Sequence, residues 1–298
     1  MQPDLNGVTV AVLGGDARET ILAERLAALG ATVRVVGLPV NKKENIILCR
    51  NPAEGLEGVD AVILPVPGIN DQGRLYTAYP DRPLILSEEM LASLSPGTPV
   101  FVGVAKPLLK KMAAGAGVTL IEIMEIDEVA ILNSIPSAEG AVQIAMEKTP
   151  ITIHGSKSVV LGFGRTAVTL ARMLKALGAK TTVVARNTAA RARAAEMGLE
   201  AVDFAALPGV LGSAEIIFNT VPFMVLDEEV LNLIPREALI IDIASVPGGT
   251  DFSAAKKLGL TAIHALGLPG KVAPKTAGNI LAGVVPRLLA ERLARKLN

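Results

Sequence analysis

The feature that most constrains this chain is a glycine-rich turn between a short apolar run and a helical pattern. The segment SVVLGFGRTA, residues 158–167, has the G-x-G-x-x-A spacing of a dinucleotide-binding turn, in the strand–turn–helix order that this motif requires. Gly162 permits the tight turn, Gly164 lets the backbone approach a pyrophosphate, and Ala167 keeps the helix close to the strand. A β-strand that leads directly into a helix is therefore expected here.

The helix after this turn offers a binding place for phosphate. Its first residues, Arg165 and Thr166, lie at the positive end of the helix dipole, where backbone N–H groups are free to bind an anion. A second strand over residues 180–185 completes a β-α-β unit. We predict that this unit binds a dinucleotide cofactor.

The residues after the second strand favour NADP(H) over NAD(H). An NAD site usually has Asp or Glu there to accept the ribose 2′-hydroxyl, whereas this chain has Arg186 and Asn187, with Arg191 following. Guanidinium groups suit a 2′-phosphate. The alternative is that the two arginines are only the solvated first turn of the next helix.

Composition excludes several classes of function. Lys+Arg and Asp+Glu both number 29, so no overall basic field attracts nucleic acid. Cys49 is the single cysteine, which excludes an intrachain disulfide and a multi-thiolate metal site, and no metal is expected. With no signal-peptide pattern and no apolar run of membrane-spanning length, we expect a cytoplasmic protein that does not associate with membranes.

The 298 residues predict two α/β domains. Half of the residues are hydrophobic and only 3% are aromatic, as expected for parallel sheets covered by helices on both faces. We predict two Rossmann-like domains with mostly parallel sheets, joined by a long connector helix, with the active site in the inter-domain cleft. The predicted boundaries are 1–125 for a substrate-side domain, 126–148 for the connector, 149–275 for the NADP-binding domain and 276–298 for a C-terminal helix that packs back on the first domain.

Strand candidates in the first domain are residues 8–13, 32–36, 61–64, 84–86, 99–103 and 119–121. In the second domain they are residues 158–161, 180–185, 199–202, 215–219, 239–243 and 261–265. Gly14 and Gly15 resemble a degenerate nucleotide turn. Pro136 predicts a kink in the connector, or the end of one helix and the start of another.

Ligands of open α/β sheets bind at the carboxyl ends of the strands. Two loops predicted at this edge have small residues against which a nicotinamide ring could lie. They contain Thr220, Val221 and Pro222 after one strand, and Ala244 and Ser245 after the next.

A few polar and basic side chains are predicted to bind the substrate. Arg18, Lys271 and Lys275 would suit an anionic, carboxylated molecule, and Ser134 is a further candidate contact. Any one of them could instead be a solvated side chain. Hydrolase and metalloprotease motifs are absent from the sequence.

Several motifs together resemble the A subunit of bacterial dipicolinate synthase, in order and over nearly the whole chain. These motifs are GGDAR at 14–18, NSIPSAEG at 133–140, IHGS at 153–156, LGFGRT at 161–166, DIASVPGGTD at 242–251 and GLPGKVAPKTAG at 267–278. The resemblance implies oxidation of a dihydro- or 4-hydroxy-tetrahydrodipicolinate to dipicolinate with NADP during sporulation. It also implies that the partner is a flavoprotein-like B subunit and that the chain is located in the mother-cell cytoplasm. We further expect the chain to form a homo-oligomer.

No motif identifies a catalytic acid or base. His154, Glu139 and Asp16 are the candidates, and dehydration of the substrate could also be spontaneous. Two other functions stay open. One is a dehydrogenase of another small acid, similar to alanine dehydrogenase, and the other is a non-catalytic NADP-binding subunit.

Overall fold

The structure is a computed structural model that describes residues 3–41, 44–79 and 83–296, with the side chains of 295 and 296 excluded. Contacts between residues divide the chain into two compact units. Unit 1 consists of residues 1–130 and 274–298, and unit 2 consists of residues 131–273.

Unit 1 alternates strands and helices. Its strands are β1 (Thr9–Leu13), β2 (Thr32–Val36), β3 (Ile46–Cys49), β4 (Ala61–Ile63), β5 (Pro99–Val102) and β6 (Thr119–Glu122). Its helices are α1 (Ala17–Ala28), α2 (Pro52–Gly55), α3 (Glu88–Ala92) and α4 (Pro107–Ala116), and a 3₁₀ turn at Ile123–Glu125 precedes α5 (Asp127–Lys148). Helix α5 continues from unit 1 into unit 2.

Unit 2 repeats the alternation. Its strands are β7 (Lys157–Leu161), β8 (Lys180–Val184), β9 (Glu200–Val202), β10 (Ile216–Asn219), β11 (Leu239–Asp242) and β12 (Thr261–His264). Its helices are α6 (Arg165–Ala176), α7 (Thr188–Glu196), α8 (Leu207–Leu211), α9 (Glu228–Leu231), α10 (Phe252–Lys257) and α11 (Leu268–Val272), with a 3₁₀ turn at Phe204–Ala206. The chain then returns to unit 1 as α12 (Pro274–Lys296).

Each unit contains one parallel sheet of six described strands. The strand order is β3-β2-β1-β4-β5-β6 in unit 1 and β9-β8-β7-β10-β11-β12 in unit 2. Both sheets therefore have the doubly wound order in which the chain reverses direction beside the first strand. In unit 2 the reversal lies between β7 and β10, whose registers pair Asn219 with Leu161. The predicted fold class, two Rossmann-like α/β domains, is confirmed.

Apolar clusters cover both faces of each sheet, which is why the strands are nearly continuous runs of Val, Ile, Leu and Ala. In unit 2, helix α6 buries Ala167, Leu170 and Leu174 against the sheet. In unit 1, helix α12 packs on α1 and buries Leu281 and Leu289 in the same cluster. Full burial of one such leucine contributes about 1.5–3 kcal/mol to stability.

Two strand expectations for unit 1 are wrong. Residues 84–86 form no strand of the sheet: Ile85 makes an isolated antiparallel bridge to Arg74, in a loop ahead of α3. Conversely, β3 was not expected, because Ile47 and Leu48 are exposed on an edge strand and its pattern is short. Local sequence does not distinguish these two extended segments, because a segment joins the sheet only where a neighbouring strand is available to pair with it.

Helix α5 continues through Pro136, so the expected alternative of two separate helices is wrong. A proline removes one N–H from the helix interior and leaves backbone carbonyls short of donors. Two serine hydroxyls donate to the carbonyls on either side of that of Leu132, which is the one that lacks the proline's N–H. Ser134 Oγ donates to Ile131 O at 2.6 Å, and Ser137 Oγ donates to Asn133 O at 2.9 Å.

Within the described part of the chain, no helix is both long enough and apolar enough to cross a membrane.

Candidate functional site

Gly162 shapes the turn at the carboxyl end of β7. Its φ is +94°, and its N–H donates to Val184 O at 2.8 Å on the neighbouring strand. A Cβ at this position would lie 2.5 Å from Thr220 Oγ1 and 3.1 Å from Val221 Cγ2. Both the backbone conformation and the close approach of the loop after β10 therefore require glycine here.

Gly164 is required for a different reason. It is the exposed N-cap residue of α6, with φ −86° in the extended region, and a Cβ there would meet no atom within 4 Å. Nothing in the fold therefore prevents a side chain at this position. Helix α6 also starts without a side-chain cap, although Ser, Thr, Asp and Asn are the usual N-cap residues. An open, uncapped helix start next to a glycine is the arrangement that binds a pyrophosphate.

The other predicted phosphate residues lie in the first turn of α6. Arg165 is exposed, Thr166 is partly buried, and Ala167 is completely buried against the sheet. This arrangement places Arg165 and Thr166 beside the open helix start. The residues present therefore fit a dinucleotide phosphate.

A buried polar pair fixes the two loops that follow β10 and β11. Asn219 and Asp242 end these strands, stand opposite each other in register, and are 0% exposed. Asn219 Nδ2 donates to Asp242 Oδ2 at 2.9 Å and to Val221 O at 3.0 Å, while Val221 N donates to Asn219 Oδ1 at 3.0 Å. Buried polar groups satisfied in this way hold their loops in one arrangement.

Asp242 binds the second loop as well. Its carboxylate accepts hydrogen bonds from Ala244 N at 3.0 Å, Gly249 N at 2.9 Å and Thr250 Oγ1 at 2.8 Å. Neither Asn219 nor Asp242 was predicted from the sequence to have a role. The available signal was that each of these polar residues ends an otherwise apolar strand.

These bonds bring the predicted nicotinamide residues to one edge of the sheet. Thr220 Oγ1 donates to Leu161 O at 2.7 Å, so the loop after β10 lies against the glycine turn. Pro222 and Ser245 are exposed, whereas Ala244 is buried. The structure thus brings the residues predicted for the phosphates and for the nicotinamide together at the carboxyl ends of β7, β10 and β11.

Arg186 and Arg191 have different roles at the end of β8. Arg191 Nη1 donates to Ala185 O at 2.9 Å and to Arg186 O at 2.7 Å, so this guanidinium holds the backbone of the loop. Asn187 caps α7, with Oδ1 accepting from the N–H two residues on at 2.7 Å. Arg186 is exposed, and no described residue forms a hydrogen bond or ion pair with its side chain.

We predict that Gly164→Ala weakens dinucleotide binding about tenfold while leaving the thermal midpoint nearly unchanged. The added methyl group meets no protein atom but would displace a phosphate from the helix start, at a cost of about 1.4 kcal/mol if one hydrogen bond is lost. Titration calorimetry with NADP and thermal unfolding would check both parts. Gly209→Ala is the matched control, because its Cβ position is also open. A lowered thermal midpoint without a change in affinity would contradict the assignment.

The candidate catalytic and substrate residues of unit 2 lie in several places. His154 is exposed in the turn before β7, at the amino edge of the sheet, where Gly155 N donates to Gly178 O. Ser134 is 1% exposed, and its Oγ lies 2.6 Å from Thr169 Oγ1 on α6. Ser134 therefore joins α5 to α6 in this structure, and its hydroxyl is not available to a substrate.

Three charged candidates are exposed. Glu139 lies on α5 next to Gly140, and Gly140 packs against Leu268, which follows β12. This part of α5 therefore lies beside the segment that follows the carboxyl end of β12. Lys271 is on α11 and Lys275 is in the first turn of α12. All three side chains can contact a ligand.

In unit 1, Asp16 and Arg18 bind each other. Arg18 Nε donates to Asp16 Oδ1 at 2.9 Å and Nη2 donates to Oδ2 at 2.8 Å, with both residues buried at the start of α1. Burial acts to raise the pKa of Asp16, but the hydrogen bonds and charge of Arg18 outweigh it and hold the pKa below its ordinary value. A carboxylate bound in this way is a weak base, so Asp16 is poorly suited to general-base catalysis.

The glycine turn of unit 1 is closed by protein groups. Gly15 N donates to Tyr76 O at 2.9 Å, and Asp16 N donates to Glu19 Oε2 at 2.8 Å. Glu19 Oε1 accepts from Val66 N at 2.9 Å, so this buried carboxylate occupies the helix start where a phosphate would bind. Unit 1 therefore lacks the open helix start that unit 2 has.

We predict that Glu19→Gln destabilises the protein by about 1–3 kcal/mol, because the amide presents N–H groups where two backbone N–H groups need acceptors. Burial raises the pKa of Glu19 above its ordinary value. A raised folded-state pKa means that stability is lost as pH rises through that value. The stability difference between wild type and variant should thus shrink with rising pH.

Urea unfolding at a series of pH values would measure this difference. Glu57→Gln is the control, because the Glu57 side chain is 74% exposed. If the two variants lose equal stability, Glu19 does not have the structural role assigned to it.

No group of three or more His, Cys, Asp or Glu side chains within the described ranges is placed to hold a metal ion. Cys49 is buried, and burial raises the pKa of its thiol, as in a structural cysteine.

Comparison with known proteins agrees with this geometry. Residues 9–124 match the family model of the N-terminal domain of the dipicolinate synthase A subunit. The A subunit of dipicolinate synthase from Bacillus subtilis (strain 168) is 39% identical over 289 residues, which cover 96% of this chain and 97% of the relative. The chain belongs to the dipicolinate synthase A-subunit family. The resemblance predicted from the motifs is thereby confirmed.

Two solved structures of this family superpose closely on the chain. The dipicolinate synthase A subunit from Bacillus halodurans has a TM-score of 0.93 at 38% identity, covering 97% of this chain and 99% of its own. The A chain of dipicolinate synthase from Bacillus subtilis has a TM-score of 0.91 at 40% identity, covering 98% of both chains.

A second family model covers the glycine turn. Residues 137–246 match "D-isomer specific 2-hydroxyacid dehydrogenase, NAD binding domain". This match supports a nicotinamide dinucleotide cofactor and an oxidoreductase activity in this member of the dipicolinate synthase A-subunit family.

Proposed function

We propose that this chain oxidises dihydrodipicolinate, formed from 4-hydroxy-tetrahydrodipicolinate, to dipicolinate with NADP⁺ during sporulation. The observation that carries the proposal is the open start of α6 at Gly164, combined with Arg186 in the place where an NAD site has a carboxylate. The name of the 39% identical relative supports the choice of product.

The proposed reaction has two steps. Loss of water from the 4-hydroxy compound gives the dihydropyridine dicarboxylate. Removal of two hydrogens then gives the aromatic pyridine, one leaving with the electron pair and the other as a proton. The bound nicotinamide would accept the electron pair. Because aromatisation makes the oxidation strongly favourable, the chain mainly has to hold the reactants in place.

Different side chains are assigned to the cofactor and to the substrate. The phosphates are assigned to Gly162, Gly164, Arg165 and Thr166, and the 2′-phosphate to Arg186, with Asn187 and Arg191 shaping the loop. The nicotinamide is assigned to Thr220, Val221, Pro222, Ala244 and Ser245. The exposed cations Lys271 and Lys275 are assigned to the substrate carboxylates. Arg18 is bound by Asp16, so its guanidinium is only partly available.

We assign the proton acceptor to Glu139. Among the three candidates, Asp16 is held by Arg18 and His154 is at the amino edge of its sheet, whereas Glu139 is exposed beside the segment after β12. A proton acceptor must reach the substrate, and Glu139 meets this condition best.

The test is the reduction of NADP⁺ with freshly prepared precursor, monitored by the absorbance of the reduced nicotinamide. Reduction with NADP⁺ faster than with NAD⁺ is expected. Reduction of NAD⁺ with alanine, and none with the precursor, would favour a dehydrogenase of another small acid. Tight NADPH binding without turnover, even when the B subunit is present, would favour a non-catalytic role.

The assembly is part of the proposal. The word "subunit" in the name of the Bacillus subtilis relative supports a partner, which we propose to be a flavoprotein-like B subunit. We also propose a homo-oligomer in the mother-cell cytoplasm. Light scattering on the purified chain, alone and after mixing with the B subunit, would measure both associations. A chain that stays monomeric and does not associate with the B subunit would contradict both proposed associations.

A further inference from the structure

A pocket of about 420 Å³ is lined by residues of unit 1. Its lining residues are 67–70, 74–77 and 83, which lie between β4 and α3, together with Lys106 at the start of α4. Its volume falls in the range of small-molecule sites. Proline and aliphatic side chains, such as Pro67 and Ile69, supply apolar walls, and Arg74 and Lys106 supply positive charge.

The loop presents Arg74 on a fixed backbone. Arg74 N donates to Asn70 Oδ1 at 2.9 Å, and Asn70 N donates to Arg74 O at 2.9 Å, which closes a tight hairpin. Leu75 N donates to Leu84 O at 2.8 Å and ties this hairpin to the segment before α3. A side chain on such a backbone has less entropy to lose on binding.

The two cations of the pocket have no described acidic partner. Some basic groups of unit 1 are paired, as Lys110 is with Glu122 at 2.7 Å, but no ion pair to Arg74 or Lys106 is found within the described ranges. Lys106 is also the N-cap residue of α4 without forming a side-chain cap, so the positive end of that helix dipole adds to the charge. Two uncompensated cations on one pocket favour an anion with two charges.

One residue of the pocket lining, Tyr76, carries a phenolic hydroxyl group. Burial, followed by the charge of Asp16, raises the pKa of this phenol. The phenol therefore stays protonated, and its hydroxyl interacts with the carboxylate of Asp16.

We propose that this pocket binds a small cyclic dicarboxylate, with one carboxylate at Arg74, the other at Lys106, and the ring against the apolar walls. The choice of a cyclic dicarboxylate rests on the proposed function, whereas the pocket and its two cations do not. Arg74 and Lys106 would thus form a second dicarboxylate site, in addition to the substrate contacts assigned to Lys271 and Lys275.

Titration calorimetry of the full chain with pyridine-2,6-dicarboxylate tests the proposal. Arg74→Ala and Lys106→Ala should each weaken binding about tenfold. Arg50→Ala and Lys111→Ala are matched controls, because both side chains are exposed in unit 1 and neither lines the pocket. The controls should bind as the wild type does.

Three results would overturn the assignment: no binding by the wild type, equal binding by the pocket and control variants, or a tenfold loss in Lys271→Ala with none in Arg74→Ala. Inorganic phosphate that competes as strongly as the dicarboxylate would overturn the ligand class. NADP binding, measured on the same samples, should be unchanged in the Arg74 and Lys106 variants. Because NADP⁺ reduction by the wild type is assayed separately, failure of the pocket and failure of the proposed reaction can be distinguished.

Discussion

Arg186→Asp should reduce the affinity for NADP⁺ by about 2 kcal/mol, roughly thirtyfold, and should bring the affinity for NAD⁺ level with it or above it. The substitution removes a guanidinium that has no described protein partner and places a carboxylate at the end of β8. That carboxylate repels a 2′-phosphate but can accept a hydrogen bond from a ribose 2′-hydroxyl. Calorimetric titration with both dinucleotides would measure the reversal.

The matched control for this variant is Lys180→Asp. Lys180 is exposed at the start of β8, so the same change of charge is made on the same strand at the opposite edge of the sheet. The control should keep the NADP⁺ preference of the wild type. If Arg186→Asp binds NADP⁺ as tightly as Lys180→Asp does, the side chain does not contact the 2′-phosphate.

Glu139→Gln should lower kcat for the precursor about 100-fold, the contribution typical of a positioned acid or base, and leave the Kd for NADP⁺ unchanged. The amide has nearly the same shape as the carboxylate but cannot accept the ring proton. Because the Glu139 side chain is exposed and forms no hydrogen bond to other described residues, the fold should tolerate the change. Steady-state kinetics together with a separate titration of NADP⁺ would separate catalysis from cofactor binding.

Glu147→Gln is the control on the same helix, since the Glu147 side chain is also exposed on α5 and bonds only to Gln143 among the described residues. Its kcat should equal that of the wild type. An unchanged kcat in Glu139→Gln would mean that the proton leaves to solvent, and Glu139 would then have no part in the reaction.

The local structure of the candidate cofactor site could be predicted because its signals are local. The glycine turn, the helix after it and Arg186 after the next strand all lie within one β-α-β unit, whose geometry follows from sequence order. The loops around Thr220 and Ala244 could also be placed, since the carboxyl ends of parallel strands meet at one edge.

The features that were missed depend on partners far apart in sequence. Asp16 and Glu19 have the spacing of a capping box, yet the bond from Val66 N to Glu19 joins residues 47 positions apart and could not be inferred from that spacing. Ser134 was predicted to be a substrate contact because nothing in the sequence shows that Thr169 lies opposite it. The pocket at Arg74 was missed for the same reason, because a hairpin and a distant helix start form it together.

The carboxylate of Glu19 has a consequence for binding stoichiometry. Two similar six-stranded units in one chain suggest two equivalent nucleotide sites, but in unit 1 the side chains of Glu19 and Asp16 already accept from Asp16 N and Arg18 N at the helix start. Each polypeptide should therefore bind one dinucleotide, however many copies assemble. Saturation in calorimetry or equilibrium dialysis would count the sites, and a value of two per chain would show that the bound carboxylate can be displaced.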